Sequence, residues 1–124
     1  MVEALVAVAD KKLSSVELKW GADPAVCVVM AAKGYPGTIE KGAVISGLDA
    51  AEAGGAVVFH AGTVLDAQGR FTVQGGRVLG VTARGTTVAD AVARAYRAVD
   101  AIRWDGAYCR RDIAGRALNR RGAA

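Results

Sequence analysis

Three short stretches hold residue types able to grip a polar, anionic molecule. Lys33-Gly34-Tyr35-Pro36-Gly37 directly follows the apolar run of residues 25–32. Its glycines permit close backbone approach and its proline holds a turn, while Tyr35 offers a hydroxyl and Lys33 a charge. A plain tight turn accounts for Gly34, Pro36 and Gly37 equally well. His60-Ala61-Gly62-Thr63 ends an apolar run with an imidazole, a hydroxyl and backbone N–H groups. His60 is the single histidine of the chain, with no acid or nucleophile beside it in sequence, so a hydrogen-bonded structural role competes with a ligand role. Gly75-Gly76-Arg77 sets a guanidinium after two glycines. That fork matches the oxygens of a phosphate, although an arginine on a hairpin edge is also commonly just solvated.

A basic stretch adds to these. Residues 103–121 carry Arg103, Arg110, Arg111, Arg116, Arg120 and Arg121 against Asp105 and Asp112, within a chain of net charge +4. Such a tail attracts phosphate on a metabolite or on nucleic acid, or forms a solvated helix face. It has no interleaved aromatics and no nucleic-acid motif, so a nucleic-acid module is the weaker alternative. A purely structural domain is another.

The elements that must position these residues follow from periodicity. Val2, Leu5, Val6 and Ala9 keep helical spacing without a capping side chain before them, and Lys11 and Lys12 suit the helix end. Residues 14–20 alternate as a half-buried strand, and the valine-rich run of residues 25–32 reads as a central strand. A short strand is expected around Val44-Ile45, a helical turn within residues 49–55, and strands at 56–60, 70–74 and 77–84. Short linkers between the last three favour antiparallel neighbours. Thr87 and Asp90 resemble a capping box opening a helix toward Trp104, with Val88, Ala91, Val92, Ala95, Val99 and Ile102 on its buried face. A short basic helix closes the chain, with Asp112 as cap and Ile113 and Leu118 as anchors. Strands first and a long helix last make an α+β fold.

At 124 residues the chain suits one compact domain. No apolar run approaches the roughly 20 residues of a membrane span, and the N-terminus lacks a signal-like segment, so a soluble, cytoplasmic protein with no membrane partner is expected. Cys27 and Cys109 fit no metal spacing and read as buried free thiols. There is no phosphate loop of the G-x-x-x-x-G-K-[ST] type, no nucleophile elbow and no metal-ligand cluster.

Residues 26–37, Phe59-His60-Ala61-Gly62-Thr63, residues 75–83 and Arg110-Arg111-Asp112-Ile113, in this order, resemble the C-terminal part of the glycinamide ribonucleotide synthetase family. The likeness covers about residues 14–118. The family, also called phosphoribosylamine-glycine ligase, comprises ATP-grasp ligases that join glycine to 5-phosphoribosylamine in purine synthesis, with ATP and Mg or Mn. The resemblance implies that residues 1–20 are the tail end of the ATP-grasp domain. Residues 21–124 would then be a C-terminal, substrate-side domain with a mainly antiparallel sheet and flanking helices.

It further implies that the residues gripping nucleotide and metal lie in absent N-terminal and ATP-grasp domains. This chain alone would then be inactive and bind neither cofactor. By the same resemblance Gly34, Tyr35, Pro36, Gly37, His60, Gly76 and Arg77 contact phosphoribosylamine, with Arg110 and Arg111 nearby. No catalytic or metal residue is assigned. Ala114 stands where the family usually has glycine.

Overall fold

The computed structural model describes residues 1–119. In chain order these form α1 (Val2–Ala9), a 3-10 turn (Leu13–Ser15), β1 (Ala25–Ala31), α2 (Leu48–Ala53), β2 (Val57–His60), β3 (Thr63–Leu65), β4 (Phe71–Val73), β5 (Arg77–Arg84), α3 (Val88–Ala101), β6 (Tyr108–Cys109) and α4 (Gly115–Asn119). Arg120 and Arg121 of the basic stretch lie outside the described residues.

Four strands make one antiparallel sheet in the order β2-β5-β1-β6, and β3 pairs with β4 in a separate two-stranded ribbon. The α+β reading holds, with helices against an antiparallel sheet. The valine run is indeed a central strand, lying between β5 and β6. Its burial nevertheless alternates. Val26, Val28 and Met30 face the core, whereas Ala25, Cys27 and Val29 are exposed. Helices cover one face of the sheet only, so Cys27, on the other, is exposed; Cys109 pairs with Met30 at the sheet edge and is half-buried against the core, so neither is the fully buried thiol expected from sequence.

α3 supplies the cover. The Thr87 Oγ1 accepts the Asp90 N–H at 3.1 Å, and Asp90 Oδ2 accepts the Thr86 N–H at 3.1 Å, so the helix start is closed from both directions. Ala91, Ala95, Ala98 and Val99 are buried, and these small side chains let the helix lie close to Val28, Leu79 and Val81, which are essentially inaccessible. The helix stops at Ala101, short of the predicted Trp104, because Ile102 turns extended (ψ 137°). Ser46 and Arg103 then exchange backbone hydrogen bonds of 2.9 and 3.0 Å.

Other expectations change. Residues 16–20 form no strand, since alternation without a partner strand leaves the backbone unpaired. On α1 only Ala7 is buried, while Val2, Leu5 and Val6 stay more than half exposed. Val44 makes one isolated bridge to Thr72, not a strand. β4 and β5 are not neighbours, and β3 and β6 had no sequence signal beyond two or three residues.

At the C-terminal end, the Tyr96 hydroxyl donates to the Arg110 carbonyl at 2.9 Å and accepts the Ile113 N–H at 3.1 Å. Ile113 packs on the core as expected, whereas Leu118 is 37% exposed. Asp112 meets Arg110 with its carboxylate, and its carbonyl accepts the Gly115 N–H at 3.1 Å. Between them Ala114 adopts φ +64°, the left-handed region that glycine enters without a Cβ clash. Replacing Ala114 by Gly is expected to stabilise the domain by about 1 kcal/mol, the left-handed cost of alanine less the extra entropy of an unfolded glycine. Urea denaturation of the two proteins measures this, and an unchanged or lowered midpoint contradicts it.

Candidate functional site

The residues singled out from the sequence converge through backbone contacts. β1 ends at Ala31, and the N–H of Ala32 donates to the Gly76 carbonyl at 2.9 Å. Gly62 donates to the Arg77 carbonyl at 2.9 Å and accepts from the N–H groups of Gln74 and Gly75 at 2.8 and 3.0 Å. The first, second and third motifs are thus stitched together by main-chain hydrogen bonds.

Such contact requires glycine. A Cβ on Gly62 would stand 2.6 Å from the Gly75 Cα and 2.7 Å from the Arg77 carbonyl oxygen. On Gly76 it would strike the edge of the Tyr35 ring at Cδ2, so the ring lies close against bare backbone. Gly34 has φ +90°, and a Cβ there would run into the Thr38 carbonyl. The Tyr35-Pro36 peptide is cis. The sequence therefore needs "KGYPG" and "GGR" together: one supplies the ring, the other the side-chain-free backbone beside it.

The result is an open cavity of about 620 Å³. Val29, Phe59, Leu79 and Gly80 form its apolar part, and Tyr35, His60, Gly62, Gly76 and Arg77 its polar part. Arg77 carries its one permanent formal charge and has no ion-pair partner among the described residues. His60 Nδ1 lies 3.0 Å from Thr63 Oγ1, and the ring stacks on Phe71 with centroids 4.1 Å apart. Those contacts fix the imidazole plane and leave Nε2 free to donate or accept according to tautomer. His60 thus has the structural partners that a lone histidine was expected to need, and still lines the cavity.

Phe71 is held by the β3–β4 ribbon, whose turn is organised by Asp66. That carboxylate accepts the N–H groups of Gln68 and Arg70, both at 2.9 Å, and the Arg70 Nε at 2.8 Å. The hydrogen bond from the Arg70 backbone, foremost among these, holds Asp66 below the usual carboxylate range. A depressed folded value means that this contribution to stability is present above about pH 4 and is lost as pH falls through the lower folded value.

The other charged candidates are engaged elsewhere. Lys33 pairs with Glu40 at 3.1 Å, which raises its pKa, and it does not line the cavity. Arg110 pairs with Asp112, and Arg111 pairs with Asp100 at 2.7 Å while lying over the Tyr96 ring. Arg111 faces a different cavity, beside Trp104 and Cys109, and neither arginine joins the one around Arg77. Gly34, Pro36 and Gly37 shape the loop without lining the cavity themselves. The apolar floor of Val29 and Phe59, on the sheet face away from α3, was missed from sequence. The alternation within residues 25–31 was its available signal.

The model of the phosphoribosylglycinamide synthetase C domain matches residues 25–116. The chain belongs to that family. It is 48% identical to the chloroplastic phosphoribosylamine-glycine ligase of Arabidopsis thaliana, over all of this chain and 24% of the relative. Against the ligases of Allochromatium vinosum and Vibrio cholerae it is 52% and 50% identical, over 97% of this chain and 28% of each. The crystal structure of the Thermotoga maritima phosphoribosylamine-glycine ligase superposes with a TM-score of 0.70 at 29% identity, over 89% of this chain and 27% of that one. The chain therefore spans about a quarter of the length of these relatives, and matches their C-terminal part.

The glycine contacts make a contrast testable. Gly62→Ala drives a Cβ into backbone that has no rotamer to relax, so a loss of about 1–3 kcal/mol is expected. Gly76→Ala meets only the Tyr35 side chain, which can swing aside, so stability should change by less than for Gly62→Ala while the Tyr35 ring resonances shift. Chemical denaturation and aromatic NMR spectra check both. Equal stability losses would contradict this account of the crossing.

Proposed function

We propose that this chain acts as the C-terminal, substrate-side domain of a phosphoribosylamine-glycine ligase and that its cavity holds the phosphoribosyl end of phosphoribosylamine. On this reading, residues 1–20 are the tail of the preceding ATP-grasp domain and residues 21–124 the substrate domain. The names of its relatives support a ligase that joins glycine to phosphoribosylamine, and on this reading ATP is hydrolysed in that reaction.

The observation that carries the substrate assignment is Arg77. It is an exposed, unpaired guanidinium at the rim of a cavity whose other polar groups are hydroxyl, imidazole and backbone. A dianionic phosphate meets the guanidinium fork through charge-assisted hydrogen bonds, and the Tyr35 hydroxyl and His60 Nε2 suit ribose hydroxyls. The apolar floor keeps water from one side of the sugar, which strengthens those bonds. Bound this way, the substrate would be positioned for attack by its amine, with these residues orienting it and transferring no proton.

The ligase reaction also calls for ATP and a Mg or Mn ion, and the described residues do not suit the ion. Among them, no three His, Cys, Asp or Glu side chains converge. Both groups are assigned to the remainder of the ligase, and no step is routed through them here. No helix among the described residues is long and apolar enough to cross a membrane. A reducing, cytoplasmic compartment suits the two free thiols.

A chimera tests the reading. With this chain replacing the homologous quarter of the Vibrio cholerae ligase, glycinamide ribonucleotide should form. Arg77→Ala in that chimera should raise KM for phosphoribosylamine roughly ten- to a hundredfold, the loss of a charged hydrogen bond, with a smaller change in kcat. An unchanged KM removes Arg77 from the site, and an inactive chimera with a normal fold contradicts the assignment.

A further inference from the structure

The β3–β4 ribbon adds no strand to the four-stranded sheet, yet its place in the fold is fixed from several sides. The Phe71 carbonyl accepts the Ile45 N–H at 2.8 Å, and the Val73 N–H donates to the Ala43 carbonyl at 2.9 Å. Across the ribbon, the hydroxyl of the buried Thr72 donates to the Val64 carbonyl at 3.2 Å. The register pairs Thr63 with Val73 and Leu65 with Phe71, so Thr63 and Phe71 stand on one face as diagonal neighbours. Both reach the same side chain of β2. His60 meets Thr63 Oγ1 through Nδ1, and its ring stacks on Phe71 with the planes 34° apart.

We propose that the ribbon is a clamp for His60, in which Thr63 and Phe71 are positioning residues that hold the neutral ring as its Nε2–H tautomer and present that N–H to the sugar phosphate beside Arg77. The identity of the ligand rests on the functional reading above, whereas the tautomer is a property of the chain alone. The direction of the Thr63 hydrogen bond decides it. Thr63 Oγ1 has one proton and no second partner among the described residues. Donated to Nδ1, that proton meets a basic nitrogen; with the roles reversed it has no protein acceptor. Nδ1 as acceptor places the ring proton on Nε2. The χ2 torsion of a histidine is broad, so a hydrogen bond at one nitrogen and a stack on one face are what confine it. Threonine suits the task because its branched Cβ restricts χ1 and keeps the hydroxyl aimed.

The N–H so fixed is not consumed within the fold. His60 borders a cavity beside α2 that holds Asp49 and Glu52, and neither carboxylate hydrogen-bonds to it. It also lines the cavity with Tyr35 and Arg77. A phosphate dianion only accepts and a ribose hydroxyl can accept, so a ring locked as donor serves either oxygen. The opposite tautomer would turn a lone pair toward the phosphate.

His60 is the only histidine of the chain, so long-range proton–nitrogen NMR reads its ring without ambiguity. In the free chain at about pH 8.5, where an ordinary imidazole is neutral, Nε2 should carry the proton and Nδ1 the lone pair. Thr63→Val should shift the ring toward the mixed tautomers of a free imidazole, and Thr63→Ser should restore the Nε2–H form. Ribose 5-phosphate should move the Nε2 resonance. Its binding should weaken roughly three- to tenfold in Thr63→Val, the range of one hydrogen bond, and recover in Thr63→Ser. Phe71→Leu, which keeps bulk and loses the stack, should weaken binding by a similar factor. An Nδ1–H ring in the parent chain, or a tautomer indifferent to Thr63→Val, overturns the proposal whether or not ligand binds. Ribose 5-phosphate that shifts the Arg77 guanidinium and leaves Nε2 unmoved overturns it too. An Nε2–H ring that Thr63→Val releases, in a chain where ribose 5-phosphate moves neither Arg77 nor His60, sustains the clamp and rejects the functional reading.

Discussion

Two backbones pass each other at Gly62 and Gly75 closer than any side chain would allow, and the geometry of the candidate site depends on that contact. It joins the end of β2 to the start of β5 outside their regular ladder, and Gly76 carries the connection on to the end of β1 through its carbonyl. Three segments distant in sequence thereby present their polar groups to one cavity. The energetic basis is main-chain hydrogen bonding among groups that the crossing partly withdraws from water. The glycines are required by space here. A favourable turn conformation is a secondary matter at these positions.

Around that crossing the protein is asymmetric. One sheet face is closed by α3 through alanines and valines, with Val28, Leu79 and Val81 fully withdrawn from water. The opposite face leaves Val29, Val57 and Phe59 in solvent. Stability comes from the first face and the candidate function from the second, where the same strands offer an apolar floor beside a free guanidinium. The order of polar and apolar residues along β1 and β2 encodes both at once, since adjacent side chains point to opposite sides. Charges that are satisfied locally, such as Lys33 with Glu40 and Arg111 with Asp100, take no part in the site.

Much of this was legible in the sequence, and what was not has physical reasons. The capping pair Thr87 and Asp90, the helical face through Ala91, Ala95 and Val99, and the valine strand all rest on local periodicity, which survives folding. Residues 14–20 alternate like a strand and form none, because a strand exists only through a partner. The β3–β4 ribbon and β6 are too short to leave a period. The convergence of Tyr35, His60, Gly62, Gly76 and Arg77 was carried by the family resemblance. Its cause, a close approach between glycines distant in sequence, has no signature in spacing. Arg110 and Arg111 looked equally suited to phosphate until their partners Asp112 and Asp100 were seen. Ala114 shows the reverse, an ordinary residue in sequence whose backbone takes the left-handed conformation.

The central claim is that the cavity beside Arg77 recognises a sugar phosphate. The most direct measurement is a titration of the isotope-labelled chain with ribose 5-phosphate, followed by amide and arginine side-chain NMR. The account predicts saturable shifts at Tyr35, Gly62, Gly76 and the Arg77 guanidinium, abolished by Arg77→Ala. Shifts confined to Arg110, Arg111 and their neighbours, or none at all at saturating ligand, would contradict it.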